Sequence, residues 1–374
     1  MVGIMDVQVT IQFALTALMF IPAFYWFKMR KEIPSQDLCL IEEESDQRIL
    51  VILPMRNEVK NVERKITSII SEILPHKNVF LTIADSSSND GTSSLAEEIL
   101  EVSSLEGTRW SVENFGVRGK NVALNGVIDR HEADIFVMSD ADAEVSAGWL
   151  EVVRSRLSEE NIGVVSGVEK ENSGSSDFNS FYRRNSNWLR INESRLDSTP
   201  VLEGSILAWK KTAISPFRFD EGANADDAQI GLHSIKSGYR SIVDSRVTFK
   251  DFEDKKRTFS ESVRRSQGLS IALIRNSRLA VMRQRRSARR AIFNAIVLYV
   301  FFPWYALFFV INAFIAFYNN PIIGHSWEFY SVFSVFLVSI LPQGRSLIFG
   351  SAVSIIAHLQ AIAGKRYKNW EPVR

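Results

Sequence analysis

Apolar residues in this chain are concentrated at its two ends, and that uneven spread limits its folds more than any other feature. Val7 to Phe27 is an apolar run of about 20 residues, enough to cross a hydrocarbon layer of roughly 30 Å at about 1.5 Å per residue. Asp6 is the only charge before the run, which ends in Phe24, Tyr25, Trp26 and Phe27 and is followed by Lys28, Arg30 and Lys31. A cleaved signal peptide would instead have a basic start, a shorter core and a small-residue cleavage site. By the positive-inside rule the residues before the run lie outside and those after Lys28 lie in the cytosol. Arg283, Arg285, Arg286, Arg289 and Arg290 introduce a second span, Ala291 to Tyr318, which contains Pro303. Such a basic flank is cytosolic and attracts anionic headgroups, so membrane lipids are expected partners. Two shorter runs follow, Phe329 to Leu341 and Leu347 to Ala363, as a hairpin or as one crossing with a re-entrant piece. Three full crossings there would put Lys365, Arg366 and Lys368 on the wrong side.

The middle of the chain has a different rhythm. Ile49 to Leu53 is a short aliphatic run stopped by Pro54, as a buried parallel strand should be. Val62, Ile66, Ile69, Ile70 and Ile73 recur at helical spacing. Val79 to Ala84 is a strand ending in Asp85. A helix follows through Leu95, Ala96, Ile99 and Leu100, then a helix over Lys120 to Asp129 and a strand over Ile135 to Ser139 that ends in Asp140. This βαβαβ alternation predicts an open α/β sheet, whose ligands bind beyond the carboxyl ends of the strands. The organisation read from the chain is an anchor over 1–31, a cytosolic catalytic domain over 48–257, basic interfacial helices over 258–290 and a membrane region over 291–374.

Several function classes drop out. With 44 Lys and Arg against 43 Asp and Glu, the net charge is +1, which gives no case for nucleic acid. One cysteine, Cys39, excludes an internal disulfide and a cysteine-rich metal site. The five histidines show no HxH or HExxH spacing.

Acidic residues stand where the chemistry is expected. Asp85-Ser86-Ser87-Ser88-Asn89-Asp90-Gly91-Thr92 reads as a turn with Thr92 capping a helix, or as a loop whose Asp85 and Asp90 bind the base and ribose of a nucleotide. Asp140-Ala141-Asp142 is sharper, because two carboxylates one residue apart at a strand end repel unless a cation or donor lies between them. A Mg²⁺ or Mn²⁺ ion completed by nucleotide phosphates suits that pair. A calcium loop is excluded, because position 6 is Val145 where glycine is required and a strand precedes the loop. Asp226 and Asp227 open a helix, where acids favour the dipole, or Asp227 acts as a general base. Arg264 and Arg265 lie in a helix before the membrane and read as a pyrophosphate clamp or as headgroup contacts.

Taken in order, Pro54-Met55-Arg56-Asn57-Glu58, Asp85…Asn89-Asp90-Gly91-Thr92, Gly119-Lys120…Asn125, Asp140-Ala141-Asp142, Gly204-Ser205…Ala208, Asp226-Asp227 and Arg264-Arg265 resemble the family 2 glycosyltransferases of GT-A fold. The resemblance covers roughly Arg48 to Gly268. It implies a doubly wound mixed sheet flanked by membrane helices, and an inverting transferase in a multi-pass membrane protein. Its donor would be a nucleotide-sugar and its acceptor lipid-linked or a glycan. The donor would be bound by Pro54, Arg56, Glu58, Asp85, Asp90, Lys120, Asp140, Arg264 and Arg265, the metal by Asp140 and Asp142, and Asp227 would be the base. Polymer synthases of the family carry QxxRW, where this chain has Glu261-Ser262-Val263-Arg264-Arg265. The missing tryptophan, which helps hold the growing polymer in those synthases, favours single transfer over processive synthesis. A membrane-anchored nucleotidyltransferase would carry a glycine-rich loop after the first strand, and Pro54 to Glu58 has no glycine. A non-catalytic scaffold would not need acids at every matched position.

Overall fold

The computed structural model describes residues 2–32, 46–170, 178–252, 258–283, 285–319, 342–365 and 367, together with 333, 336 and 340. At its centre is an eight-stranded mixed sheet in the order β3-β2-β1-β4-β7-β6-β8-β5. Strand β1 (Ile49–Met55) pairs in parallel with β2 (Val79–Asp85) on one side and β4 (Ile135–Ser139) on the other, and β3 (Trp110–Asn114) extends β2. β7 (Ile206–Lys210) runs antiparallel to β4 and β6 (Ile162–Glu169), and β8 (Arg240–Asp251) joins β6 to the short β5 (Ala143–Val145). The expected strand end at Leu53 falls two residues short, because β1 continues through Pro54 to Met55. β1 pairs with β4 only as far as Ile52, so the missing N–H of Pro54 leaves no gap on that side.

Both faces of the sheet are covered, which explains why β1 reads as a continuous aliphatic run rather than an alternating one. Ile49, Val51, Leu53 and Met55 pack toward α3 (Val62–Ile73), α4 (Thr92–Glu101) and α6 (Trp149–Ser158). Leu50 and Ile52 face α5 (Lys120–Arg130) and α9 (Asp226–Lys236) on the other side. The helical spacing of Val62, Ile66, Ile69 and Ile73 puts them on the buried face of α3, as the periodicity predicts.

The C-terminal helices join this core through an apolar cluster that includes Leu232, Ile235, Leu273, Ile292 and Ile296, and polar contacts add to it. The first apolar segment forms α1 (Val2–Met19) and α2 (Ile21–Glu32), and α2 meets α7 (Phe178–Leu196). Among the described residues, three helices are long and apolar enough to cross a membrane: Thr10–Glu32, Arg286–Ile315 and Gly344–Ile362. The second consists of α11 (Arg286–Ile296), one π-helical turn over Val297–Phe301 and α12 (Phe302–Asn319). The wide turn ends just before Pro303, which lacks the N–H of a regular turn. Most of the Phe329 to Leu341 run lies outside the described residues. The last span, α13 (Pro342–Ile362), packs along α10 (Phe259–Arg275). There Trp304 Nε1 donates to His358 Nδ1 at 3.1 Å, while the other ring nitrogen of His358 lies 2.9 Å from Ser270 Oγ. In α1, Gln12 accepts from Asn312 of α12 at 2.6 Å.

At the junction of α2 and α7, Glu193 is buried and accepts from Tyr25 at 3.0 Å and from Thr199 at 2.7 Å. Burial pushes its carboxyl up from 4.5 to about 7. A folded pKa above the unfolded one gives stability that is complete below about 4.5 and lost as pH rises through about 7. Glu193→Gln therefore should be more stable than the wild type near pH 8, by at most about 3 kcal/mol, and not near pH 5, read as a higher Tm at pH 8 alone in thermal melts at the two pH values.

Candidate active site

The motifs found in the sequence gather at the carboxyl ends of β1, β2 and β4, in two adjoining groups. The first is built where β1 and β2 end. Asn57 adopts a left-handed backbone (φ 56°), and its N–H donates to Ser88 Oγ at 2.9 Å. Glu58 N donates to Thr92 Oγ1 at 2.9 Å, and Val59 N to Asp90 Oδ2 at 3.2 Å. The Pro54–Glu58 and Asp85–Thr92 segments are thus stitched into one rim. Asp85 is fully buried, and its carboxylate accepts from Ser88 N at 3.1 Å, Asn114 Nδ2 at 3.1 Å and the Ser88 hydroxyl. Its first task is to shape the loop. Asp90 also works locally, accepting from Thr92 N at 3.1 Å at the start of α4. The N-cap is Gly91, left-handed at φ 92°, and Asp90 before it satisfies Thr92 N, whereas the sequence suggests Thr92 as the cap, whose hydroxyl instead holds Glu58. Arg56 is buried at 5% exposure at the end of β1.

The second group surrounds Asp140. Lys120, at the first turn of α5, reaches Asp140 Oδ1 at 2.6 Å and Asp226 Oδ2 at 2.9 Å. Gly204 lies against the three of them: a Cβ there would stand 3.6 Å from Lys120 Nζ and 3.7 Å from a carboxylate oxygen of each aspartate. The lack of a side chain lets the loop before β7 approach the ion pairs. Burial alone would discharge Lys120, but Asp140 and Asp226 outweigh it and its pKa is raised. The Asp140 carboxyl is also pushed up, first by burial and then by Asp142 and Asp226, against the opposing pull of Lys120. Asp142 is exposed at the mouth of the loop.

Asp227 follows Ala225, a non-glycine residue held left-handed at φ 62°. Its Oδ1 accepts from Ala228 N at 2.7 Å. Burial, and then the neighbouring Asp226 carboxylate, push the Asp227 carboxyl up to about 7. Two asparagines of α5 brace the loop that leads to it. Asn121 donates to the Asp220 and Ala223 carbonyls at 2.8 and 3.0 Å, while Asn125 donates to Phe219 O and accepts from Phe219 N, both at 2.9 Å. On the side of α10, Gly268 packs on Asn224 and Ala225.

Helix α10 brings in the arginines. Arg265 is exposed at the rim of the site, and Glu203, Asp140, Asp227 and Asp142, which it faces, raise its pKa despite its partial desolvation there. Arg264 lies beside it, and its buried Nε has no hydrogen-bond partner among the described residues. Glu261 stands where QxxRW has glutamine, and here it closes a capping box with Thr258: Thr258 N to Glu261 Oε2 at 2.8 Å and Glu261 N to Thr258 Oγ1 at 3.2 Å. Its role is to start the helix.

Two residues were not found from sequence. Glu203 accepts from Arg190 and faces Arg265 and Asp227. The glycine after it gave a signal, but the acid itself matches no spacing rule. Lys65 looks like one polar position on an amphipathic helix, yet it is fully buried behind the Asp140 loop, where burial pushes its ammonium down to about 8.

This arrangement suits a divalent cation. Asp140 and Asp142 are acceptor-only oxygens at a strand end, and mutual repulsion and burial already burden Asp140. Two carboxylates make an incomplete shell. That matches an ion whose other ligands are phosphate oxygens and water, and among the described residues no cluster of three acids or histidines could hold one alone.

Residues 50–214 match the family described as Glycosyl transferase family 2. The mannosyltransferase PcManGT from Pyrobaculum calidifontis, solved in complex with GDP-Man and Mn²⁺, superposes with a TM-score of 0.80 and 23% identity, over 96% of this chain and 100% of its own. The glycosyltransferase AglE of Haloferax volcanii is 24% identical over 119 residues, which are 32% of this chain and 38% of that protein. The match therefore spans well under half the length of that curated relative. The chain has the GT-A fold. Through residues 50–214, less than half of its length, the chain is similar to family 2 of the glycosyltransferases.

Proposed function

We propose that this protein transfers one sugar per encounter, with inversion, from a nucleotide-sugar to a membrane-borne acceptor, a polyprenyl-phosphate-linked species or a glycolipid. The observation that carries this reading is the convergence of Lys120, Asp140, Asp226, Asp227, Gly204 and Arg265 at one strand edge, beside a helix that packs on the last candidate span. In this reading residues 48–257 are the cytosolic catalytic domain, 258–290 lie at the membrane interface, and 1–31 with 291–374 anchor the chain.

The rim of Pro54, Arg56, Glu58, Asp85 and Asp90 receives the nucleoside. Lys120, Arg264 and Arg265 bind the donor phosphates, and Asp140 and Asp142 are the residues that would hold Mg²⁺ or Mn²⁺. The Mn²⁺ and GDP-Man in the Pyrobaculum structure support a divalent ion beside a sugar nucleotide. Such an ion supplies charge neutralisation for the departing nucleoside diphosphate. As the bond to the anomeric carbon breaks, Lys120 and the arginines stabilise the growing negative charge on the leaving oxygens. Asp227 takes the proton of the acceptor hydroxyl as it attacks from the opposite face, and this inverts the anomeric centre.

Single transfer is favoured by Glu261, which is engaged in its capping box, and by an arginine in place of the tryptophan platform. A lipid acceptor is favoured by the close packing of α10 on α13, since α10 carries the arginines. Membranes containing the protein, incubated with radiolabelled nucleotide-sugars, are expected to yield label that partitions into organic solvent. Label in long, water-soluble, glycosidase-sensitive chains would restore a polysaccharide synthase. Nucleotide-sugar hydrolysis by the purified protein separates both from a nucleotidyltransferase or a scaffold.

A further inference from the structure

Behind the Asp140–Asp142 loop lies a charged side chain that the proposed mechanism leaves unused. Lys65 sits on the buried face of α3, among Val62, Ile66, Ile69 and Ile73, where helical periodicity calls for another aliphatic residue. Its ammonium donates to Ser139 Oγ at 2.7 Å and to the Ala143 carbonyl at 2.6 Å. Those two residues bracket Asp140-Ala141-Asp142. Ser139 Oγ passes the bond on to the Ser205 carbonyl at 2.7 Å, and Asp140 N reaches the same carbonyl at 3.3 Å. One lysine thus ties both ends of the acidic loop, and through Ser205 ties it to the chain beside Gly204. Its hydrogen-bond acceptors are neutral, and the charges it senses are Asp140, Asp142 and Glu144. Burying an ammonium against neutral oxygens is costly. The same slot would take a methionine.

We infer that Lys65 serves as an internal cation behind the acidic loop. From behind the loop it holds Asp140 and Asp142 together in the resting protein, and it weakens their grip on a free divalent ion. A metal then binds tightly only when nucleotide phosphates add their own negative charge. Lys120 acts in the same sense from the front, but it lies in the open cleft and can turn to phosphate. Lys65 cannot leave. It touches neither metal nor substrate and is a positioning residue.

The inference rests on Asp140 and Asp142 being the metal pair. The test titrates Mn²⁺ alone into the purified full chain in detergent, reads free Mn²⁺ by electron paramagnetic resonance, and follows Tm. The wild type should bind Mn²⁺ weakly without nucleotide and tightly with GDP or UDP. Lys65→Met and Lys65→Gln should each bind Mn²⁺ alone about tenfold more tightly or better, since a like charge close behind the ion is removed at an effective dielectric of about 20. Both variants should melt lower in metal-free buffer, and Mn²⁺ should recover more of that loss than it adds to the wild type. Glutamine can still donate to Ser139 and Ala143, so it should lose less Tm than methionine while gaining the same affinity. A lysine that served only as a structural anchor would lower Tm and leave Mn²⁺ affinity unchanged or weaker, and that result overturns the inference. If neither variant folds, the wild type decides, because micromolar affinity for free Mn²⁺ is incompatible with a repelling internal charge. Asp142→Asn separates the two layers. If it leaves Mn²⁺·GDP and Mn²⁺·UDP binding intact, the metal pair itself is wrong; if it abolishes binding while the Lys65 variants gain nothing, only the inference about Lys65 fails.

Discussion

Asp227→Asn is expected to lower turnover by roughly 10²- to 10⁴-fold, the usual contribution of a positioned general base, and to leave donor affinity nearly unchanged. The reason is geometric and electrostatic together. Asp227 opens α9 behind a left-handed Ala225, and the Asp220–Ala223 segment before it is pinned by Asn121 and Asn125. Its carboxyl is pushed up to about 7 by burial and by Asp226, so near neutral pH it can accept a proton yet is not swamped by protonation. Only the ionised carboxylate accepts the acceptor's proton. Wild-type kcat/KM should therefore fall as pH drops through about 7, while the weak residual rate of the asparagine variant should lack that limb. The fold should survive, because Asn Oδ1 can still accept from Ala228 N and the repulsion from Asp226 is relieved. Steady-state rates across pH, with nucleotide binding by calorimetry, check both halves. A large loss of nucleotide affinity would assign Asp227 to the donor site instead.

The parallel half of the sheet was legible because burial on both faces forces Ile49–Leu53 and Ile135–Ser139 into uninterrupted aliphatic runs. The antiparallel half was not. The three-residue β5 there, and the edge strand Trp110–Asn114 of the parallel half, are too short, and too mixed in polarity, to stand out from loops. The acids were legible by position, since each ends a strand or opens a helix. What sequence did not reveal is the partner of each. Asp85 and Asp90 are spent largely on shaping their own loop, and Lys120 spans Asp140 and Asp226 across 106 positions of chain that only the fold brings together. Lys65 was invisible for the opposite reason: a lysine on an amphipathic helix is assigned to the solvent side unless the burial of that face is known.

Asp142→Asn should abolish transfer, lowering kcat by roughly 10²- to 10³-fold or more, the scale set by losing charge stabilisation of a leaving group. Nearly all of that loss should be chemical. The Asp142 side chain is exposed, and its backbone carbonyl, which accepts from Phe252 N at 2.8 Å, is untouched by the substitution. Stability should shift by no more than about 0.5 kcal/mol, as for other exposed positions. Removing a like charge from beside Asp140 also relaxes the burden on that buried carboxyl, so any small shift in Tm should be upward. What the variant loses is one of two oxygen donors in a shell the protein only half builds, and phosphate and water cannot fully replace a charged ligand. EDTA should reproduce the loss in the wild type, and added Mn²⁺ or Mg²⁺ should restore it in the wild type alone. Two measurements decide it: release of nucleoside diphosphate with and without chelator, and thermal melts of both proteins. Activity that persists in the variant and in EDTA would mean that Lys120, Arg264 and Arg265 alone stabilise the leaving group, and the metal-dependent reading would be abandoned.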